Sequence, residues 1–171
     1  MEFPEYWPTF LTATNLNWLP LMQADSHKKI IIDSLAFLVK NKRVKVYAFV
    51  IMNNHLHLIW QVLPGHTPDA VQRDFLKYTG QQMKFNLKEN DTTFLEQFKV
   101  GAKDREYQFW ERNSLSIELR TRSVFEQKFL YIHYNPVKAG LCALPEEYYY
   151  SSAKFYETGV DNFGFLTRWG G

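Results

Sequence analysis

A single cysteine, Cys142, stands in 171 residues, so neither an internal disulfide framework nor a cysteine-rich zinc site can be built. No run of apolar residues approaches the roughly 18 needed to span a bilayer, which excludes a membrane helix. Met1 to Phe10 carries Glu and Pro where a secretory leader would need basic and then apolar residues, so a reducing cytoplasm is the expected setting. Charge of one sign is also scarce. Twenty Lys and Arg against 18 Asp and Glu leave +2, too little to diagnose a polyanion partner, so any basic surface must be local. Repeats, low-complexity tracts and linkers are absent, which predicts one domain over 1–171 with 145–171 as a C-terminal tail packed on it. What is plentiful is apolar and aromatic: 46% hydrophobic and 17% aromatic residues, enough for a proper core and compatible with stacking on bases.

Periodicity divides the chain. Thr9 to Asn15 alternates loosely as a strand, and Trp18-Leu19-Pro20-Leu21 reads as a loop. Ile30, Ile31, Leu35, Leu38 and Val39 recur at helical spacing, predicting a helix capped by Asp25 or Ser26 and running to about Lys40. Arg43 to Met52 and His55 to Val62 read as strands joined by an Asn53-Asn54 turn. Thr67 or Asp69 opens a second helix to about Leu87, weakened in its middle by Gly80. Tyr107 to Glu111 reads as a short strand, and Ser123 as the cap of a third helix ending by Gly140. Pro145 to Tyr156 reads as an aromatic tail with a short helical piece, and Asp161 to Gly171 as irregular. The order β-α-β-β-α-β plus a helix predicts an α+β, ferredoxin-like (RRM-like) fold: an antiparallel sheet with helices on one face and the other face open.

His55-Leu56-His57 is the most informative stretch. Strand side chains alternate, so the two histidines share one face, about 7 Å apart along the strand, while Leu56 enters the opposite layer. Such a pair holds one divalent ion, grips one phosphate, or simply decorates a wet face. The third helix adds Tyr131 and Asn135, four apart and therefore on one side of it. Laid against the histidine strand, they are a candidate nucleophile and a candidate third metal ligand. A phenol of ordinary pKa near 10 is only about 0.1% ionised at neutral pH, so attack on a phosphate needs assistance such as a divalent ion supplies. Spacing alone leaves His133 and Tyr134 as rivals within the same turn. Tyr148-Tyr149-Tyr150 reads as packing of the tail, and His27 and His66 carry no assigned role.

Ile51-Met52-Asn53-Asn54-His55-Leu56-His57-Leu58-Ile59 resembles the HUH signature of single-tyrosine transposases. Tyr131 to Leu141 resembles the second signature of their REP-associated branch. Trp18 to Leu21, Tyr107 to Trp110, Pro145 and Ser151-Ser152 agree with it in order and separation, so the likeness covers nearly the whole chain. The sequence departs at Asn53, where the family usually has Pro, and Asn135 precedes Pro136, a position biased away from helical dihedrals.

The resemblance implies a DNA transposase that cleaves and rejoins single-stranded DNA at hairpin ends, REP-like or transposon-borne, through a 5′-phosphotyrosine. His55 and His57 would hold Mg²⁺ or Mn²⁺, Tyr131 would be the nucleophile, and Asn135 stands where relatives put a polar ligand. Basic residues would grip the hairpin backbone, with Arg73, Lys77, Arg43 and Arg122 the chosen candidates. Relatives occur as monomers and as dimers that exchange the tyrosine helix; no membrane is implied. The alternatives are a metal-dependent phosphoesterase or nuclease using water, and a non-catalytic nucleic-acid-binding module on the same fold.

Overall fold

The computed structural model describes residues 5–170; residues 1–4 and Gly171, the ends of the expected 1–171 domain and part of the Met1 to Phe10 stretch, lie outside the described residues. The elements run β1 (Thr9–Thr14), α1 (Asp25–Lys40), β2 (Val44–Ile51), β3 (His55–Val62), α2 (Pro68–Asn90), α3 (Thr92–Glu96), β4 (Leu115–Glu118), α4 (Arg122–Lys138) and α5 (Ala153–Thr158). The sheet order is β2-β3-β1-β4, every pair antiparallel. This is the expected ferredoxin-like sheet. No helix among the described residues is long and apolar enough to cross a membrane.

Alternation sorts the strands into two layers. Leu11, Ala13, Phe49, Ile51, Leu56, Leu58 and Trp60 enter a core shared with Ile31, Leu35 and Leu38 of α1 and Val71, Phe75, Met83 and Leu87 of α2. Their i, i+4, i+7 spacing is why these segments are helices: it gathers an apolar stripe that the sheet can bury. The opposite layer carries Phe10, Thr12 and Thr14 paired with Ile59, His57 and His55. The expected open face is in fact largely covered. Phe125 and Ile132 of α4, with Leu119, pack on Phe10, Ala48, Val50 and Ile59. Trp169 of the tail stacks on Phe125 at 4.1 Å between centroids, so the segment expected to be irregular still closes the layer.

Three boundaries differ from expectation. The fourth strand is Leu115–Glu118; Tyr107 and Trp110 make only isolated bridges, to Lys99 and Asn15. The aromatic run pattern of 107–111 arises because Phe109 and Trp110 pack into the α1/α2 core from a strap, without extended pairing. Helix α1 follows Ala24 with no side-chain cap, so neither Asp25 nor Ser26 caps it. Helix α4 is capped by Thr121, whose Oγ1 accepts from the Val124 N–H at 3.2 Å, and not by Ser123. Gly80 is buried in α2 beside the strap, and a Cβ there would make only ordinary van der Waals contact, 3.6 Å from Phe109, so packing does not demand the glycine.

Candidate active site

The cleft is assembled where β1, β3 and α4 meet, and encloses about 600 Å³. His55 and His57 rise from β3, Thr12 and Thr14 from β1, and Lys128, Tyr131, Asn135 and Lys138 from α4. The helix continues through Pro136, so the pre-proline bias does not turn Asn135 away. Trp18 closes one side, reached through consecutive left-handed residues Asn17 (φ 54°) and Trp18 (φ 57°). For a bulky residue this backbone is strained, and strain of this kind gathers at functional sites.

The turn before the histidines is held by tertiary bonds. Neither Asn53 nor Asn54 has a positive φ, so this is not the primed hairpin turn that two asparagines suggest. Instead the Asn54 and Asn53 carbonyls accept from the Asn15 N–H at 2.9 Å and the Met22 N–H at 2.8 Å. The loop after β1 thus fixes the start of β3.

The histidine rings are 4.9 Å apart between centroids, closer than the roughly 7 Å strand repeat, because the two side chains lean together. Nδ1 of His57 is hydrogen-bonded to Thr12 Oγ1 at 2.9 Å. Nδ1 of His55 donates to Asn54 Oδ1 at 2.8 Å. Burial lowers the pKa of both. His57 falls to about 3, with repulsion from His55 and Lys128 adding to desolvation. For His55 desolvation outweighs the upward pull of Asn135. Both imidazoles are therefore neutral at pH 7 with Nδ1 engaged; for His55, whose partner is an acceptor, Nε2 is left as the lone-pair atom.

Asn135 Oδ1 lies 3.3 Å from His55 Nε2. With His55 neutral, two lone-pair atoms face each other across a gap close to the ~3 Å separation of neighbouring ligands on an octahedral ion bound at ~2.1 Å. Among the described residues no three His, Cys, Asp or Glu side chains gather as a metal cluster. Two imidazoles and an amide oxygen are the donor set, and it fits a divalent ion that keeps several waters.

Tyr131 stands edge-on to His57 at 5.1 Å and to Phe10 at 6.1 Å between centroids. Its rivals lie elsewhere. His133 is buried, bonded through Nε2 to Ser152 Oγ at 2.7 Å, and burial pushes its pKa down to about 4. Ser152 also receives the Phe49 N–H at 2.9 Å, so His133 ties α4 to the tail and to β2. Tyr134 is exposed and does not line the cleft.

Nor do Arg73, Lys77, Arg43 or Arg122 line it. Arg73 and Lys77 belong to α2, beyond the sheet; Arg43 precedes β2 at the end remote from the histidines, over the Phe37 ring. Arg122 starts α4, paired with Glu126 and about 13 Å along the helix from Tyr131. The cleft's own cations are Lys128, with Nζ 5.2 Å from the Phe10 centroid and 5.9 Å from that of Tyr131, and Lys138. Sequence reasoning passed over both, and over Thr12. The signal was present: 128, 131, 135 and 138 form one helical stripe, and Thr12 alternates onto the histidine face once β1 is paired.

A solved REP-associated tyrosine transposase, bound to a REP hairpin, superposes with a TM-score of 0.67 over 99% of this chain and 93% of its own, at 15% identity. The chain shares that transposase's fold. No family model and no curated protein matches it.

Proposed function

We propose that this protein is an HUH single-tyrosine DNA transposase, cutting and rejoining single-stranded DNA at hairpin ends. One observation carries the reading: the Tyr131 ring, the paired imidazoles of His55 and His57, and the Asn135 oxygen share one cleft on the fold of a hairpin-bound transposase. All of them come from one chain, with α4 supplying the tyrosine to its own sheet.

His55, His57 and Asn135 would hold Mg²⁺ or Mn²⁺, which when bound would neutralise charge on the phosphoryl oxygens. The chain's own residues do the rest. Asn54 holds His55 in the tautomer that presents Nε2, and Thr12 orients the His57 ring. Phe10 and His57 touch the Tyr131 ring edge-on while it stays 46% exposed, so its hydroxyl is open to a phosphate entering the cleft. Lys128 adds a positive charge beside the phenol and the phosphate. Tyr131 Oη attacks phosphorus, an O–P bond forms, and the bond to the 3′-oxygen breaks. The phenolic proton passes to water and the departing oxygen takes one up, leaving a 5′-phosphotyrosine and a free 3′-hydroxyl. Because the phosphoester is kept in the link, another 3′-hydroxyl reverses the step and joins new ends without a nucleotide cofactor.

Arg122, on the tyrosine helix, is the nearest of the outlying cations for a backbone contact; Arg43, Arg73 and Lys77 would meet only DNA that continues past the sheet. The test is incubation with single-stranded hairpin oligonucleotides and Mn²⁺, followed by a denaturing gel. A protein–DNA adduct that disappears in Tyr131→Phe supports the reading. Multiple-turnover cleavage that survives Tyr131→Phe would indicate a phosphoesterase using water. Hairpin binding with no cleavage, retained in His55→Ala, would indicate a binding module.

A further inference from the structure

A second groove of about 530 Å³ lies between α2 and the strap that carries Phe109 and Trp110. Its charged wall holds Lys77, Lys84, Arg105 and Arg112 against Asp104 and Glu106. Arg105 is the unusual member. Its Nη1 bonds Asp104 Oδ2 at 3.1 Å, yet Nε and Nη2 are buried with no hydrogen-bond partner among the described residues. Those two nitrogens form one edge of the guanidinium, the fork that matches two oxygens of a phosphate. A buried charged edge without an acceptor is costly, so it favours any anion that reaches it. The side chain is 30% exposed and lines the groove, so the fork lies beside the space an anion would enter. The aromatic surface is already taken: Lys84 Nζ lies 5.5 Å over the Tyr107 centroid. The groove therefore offers cations, and no free ring for stacking a base.

The strap leads directly to the cleft. The Leu16 N–H donates to the Phe109 carbonyl at 3.0 Å, and the Glu111 N–H to the Thr14 carbonyl at 2.7 Å. Thr14 lines the cleft, while Tyr107 and Phe109 line the groove. Four residues of extended chain cover about 13 Å, comparable to four steps along one DNA strand.

We infer that the Arg105 fork, with Lys77, Lys84 and Arg112, clamps a backbone phosphate of the same DNA whose scissile phosphate enters the cleft, several nucleotides away. The contact sets register and carries no base information. The inference rests on the proposed DNA reading, and its test separates the two. Binding of a fluorescent hairpin with a ~30-nucleotide total length is compared with that of a short oligonucleotide of about four nucleotides across a salt series. Arg105→Lys keeps the charge and removes the fork; Lys77→Gln/Lys84→Gln removes one exposed and one half-buried cation. Each is expected to weaken the long hairpin roughly tenfold; the salt slope should fall by about one per removed charge in Lys77→Gln/Lys84→Gln and stay nearly unchanged in Arg105→Lys. Binding of the short oligonucleotide should not change. Unchanged hairpin affinity and slope in both variants would overturn the inference, as would equal weakening of long and short substrates. An acidic peptide competing at this groove while hairpin binding ignores all three positions would overturn it too. Adduct formation at Tyr131 is read separately. An adduct with insensitive variants sinks only the groove, and sensitive variants without an adduct sink only the transposase reading.

Discussion

The two faces of the same sheet are built from adjacent residues and do opposite things. Leu56 and Leu58 are wholly buried under α1 and α2, in a layer of apolar side chains. His55, half-buried, and His57, buried, are one residue out of step and lie against α4 and the strand partners Thr12 and Thr14, with a cleft left between. One layer is closed by two helices and gains stability from area removed from water. The other is closed by α4 and the C-terminal tail, which cover part of the sheet and leave open the space beyond the imidazoles. The same burial that stabilises the leucines thus keeps the histidines neutral and able to act as ligands.

The sharpest way to break this comparison is to truncate each face. His57→Ala should abolish the protein–DNA adduct, read on the denaturing gel, while lowering the thermal midpoint little. Leu58→Ala should cost about 2–5 kcal/mol in denaturant unfolding through the cavity it leaves, with the adduct retained below the unfolding transition. Loss of activity in both at intact stability would mean the faces are not separable. Next in size, Thr12→Val removes the hydroxyl that holds His57 Nδ1 and should weaken Mn²⁺ binding by about 10–100-fold, measured by titration calorimetry. An unchanged affinity would show that the ring needs no orienting partner.

Acid sharpens the comparison further, because the cleft layer holds the two buried imidazoles whose pKa values fall furthest, His57 and His133. His133 titrates near 4 in the folded chain against an ordinary 6.5. Above pH 6.5 both folded and unfolded chains carry it neutral, and its contribution is fully present. As pH falls from 6.5 toward 4 the unfolded chain takes up the proton first, so stability is lost, by about 3 kcal/mol if the whole shift is realised. His57, lowered to about 3, extends the loss to lower pH. Denaturant midpoints measured from pH 7 to 4 should fall, and His133→Asn should flatten the part between 6.5 and 4; an identical slope would remove His133 as its cause. The smallest effect is expected at Arg73, paired with Asp74 on the surface of α2. Arg73→Gln should change stability by less than about 0.5 kcal/mol and leave cleavage of a short oligonucleotide untouched, checked by unfolding and by the adduct assay.

Much of this was legible because it is local. The long helices and the three strands of the β1-β2-β3 set follow from periods of 3.6 and 2, and their bounds agree with the structure to within a few residues. The fourth strand was not legible. Leu115–Glu118 is short and mostly exposed, with little apolar alternation, whereas Tyr107–Glu111 is aromatic for a packing reason that mimics a strand. The cations were harder still: Arg43, Arg73, Lys77 and Arg122 are conspicuous as charge clusters, yet Lys128 and Lys138 are the ones brought to the cleft. Charge carries no periodicity strong enough to reveal which side of a helix will face a ligand.

By itself the sequence determined that His55 and His57 share a side of a strand and that Tyr131 and Asn135 share a side of a helix, since both follow from covalent backbone geometry. Only the tertiary structure decided that this helix lies on that side of the sheet. It also decided that Thr12 holds one ring, that His133 points into the tail, and that Arg105 is left with an unpaired edge. Those outcomes depend largely on contacts between residues 19 to 80 positions apart, whose free energies are settled jointly by packing and desolvation, and no short-range spacing encodes them.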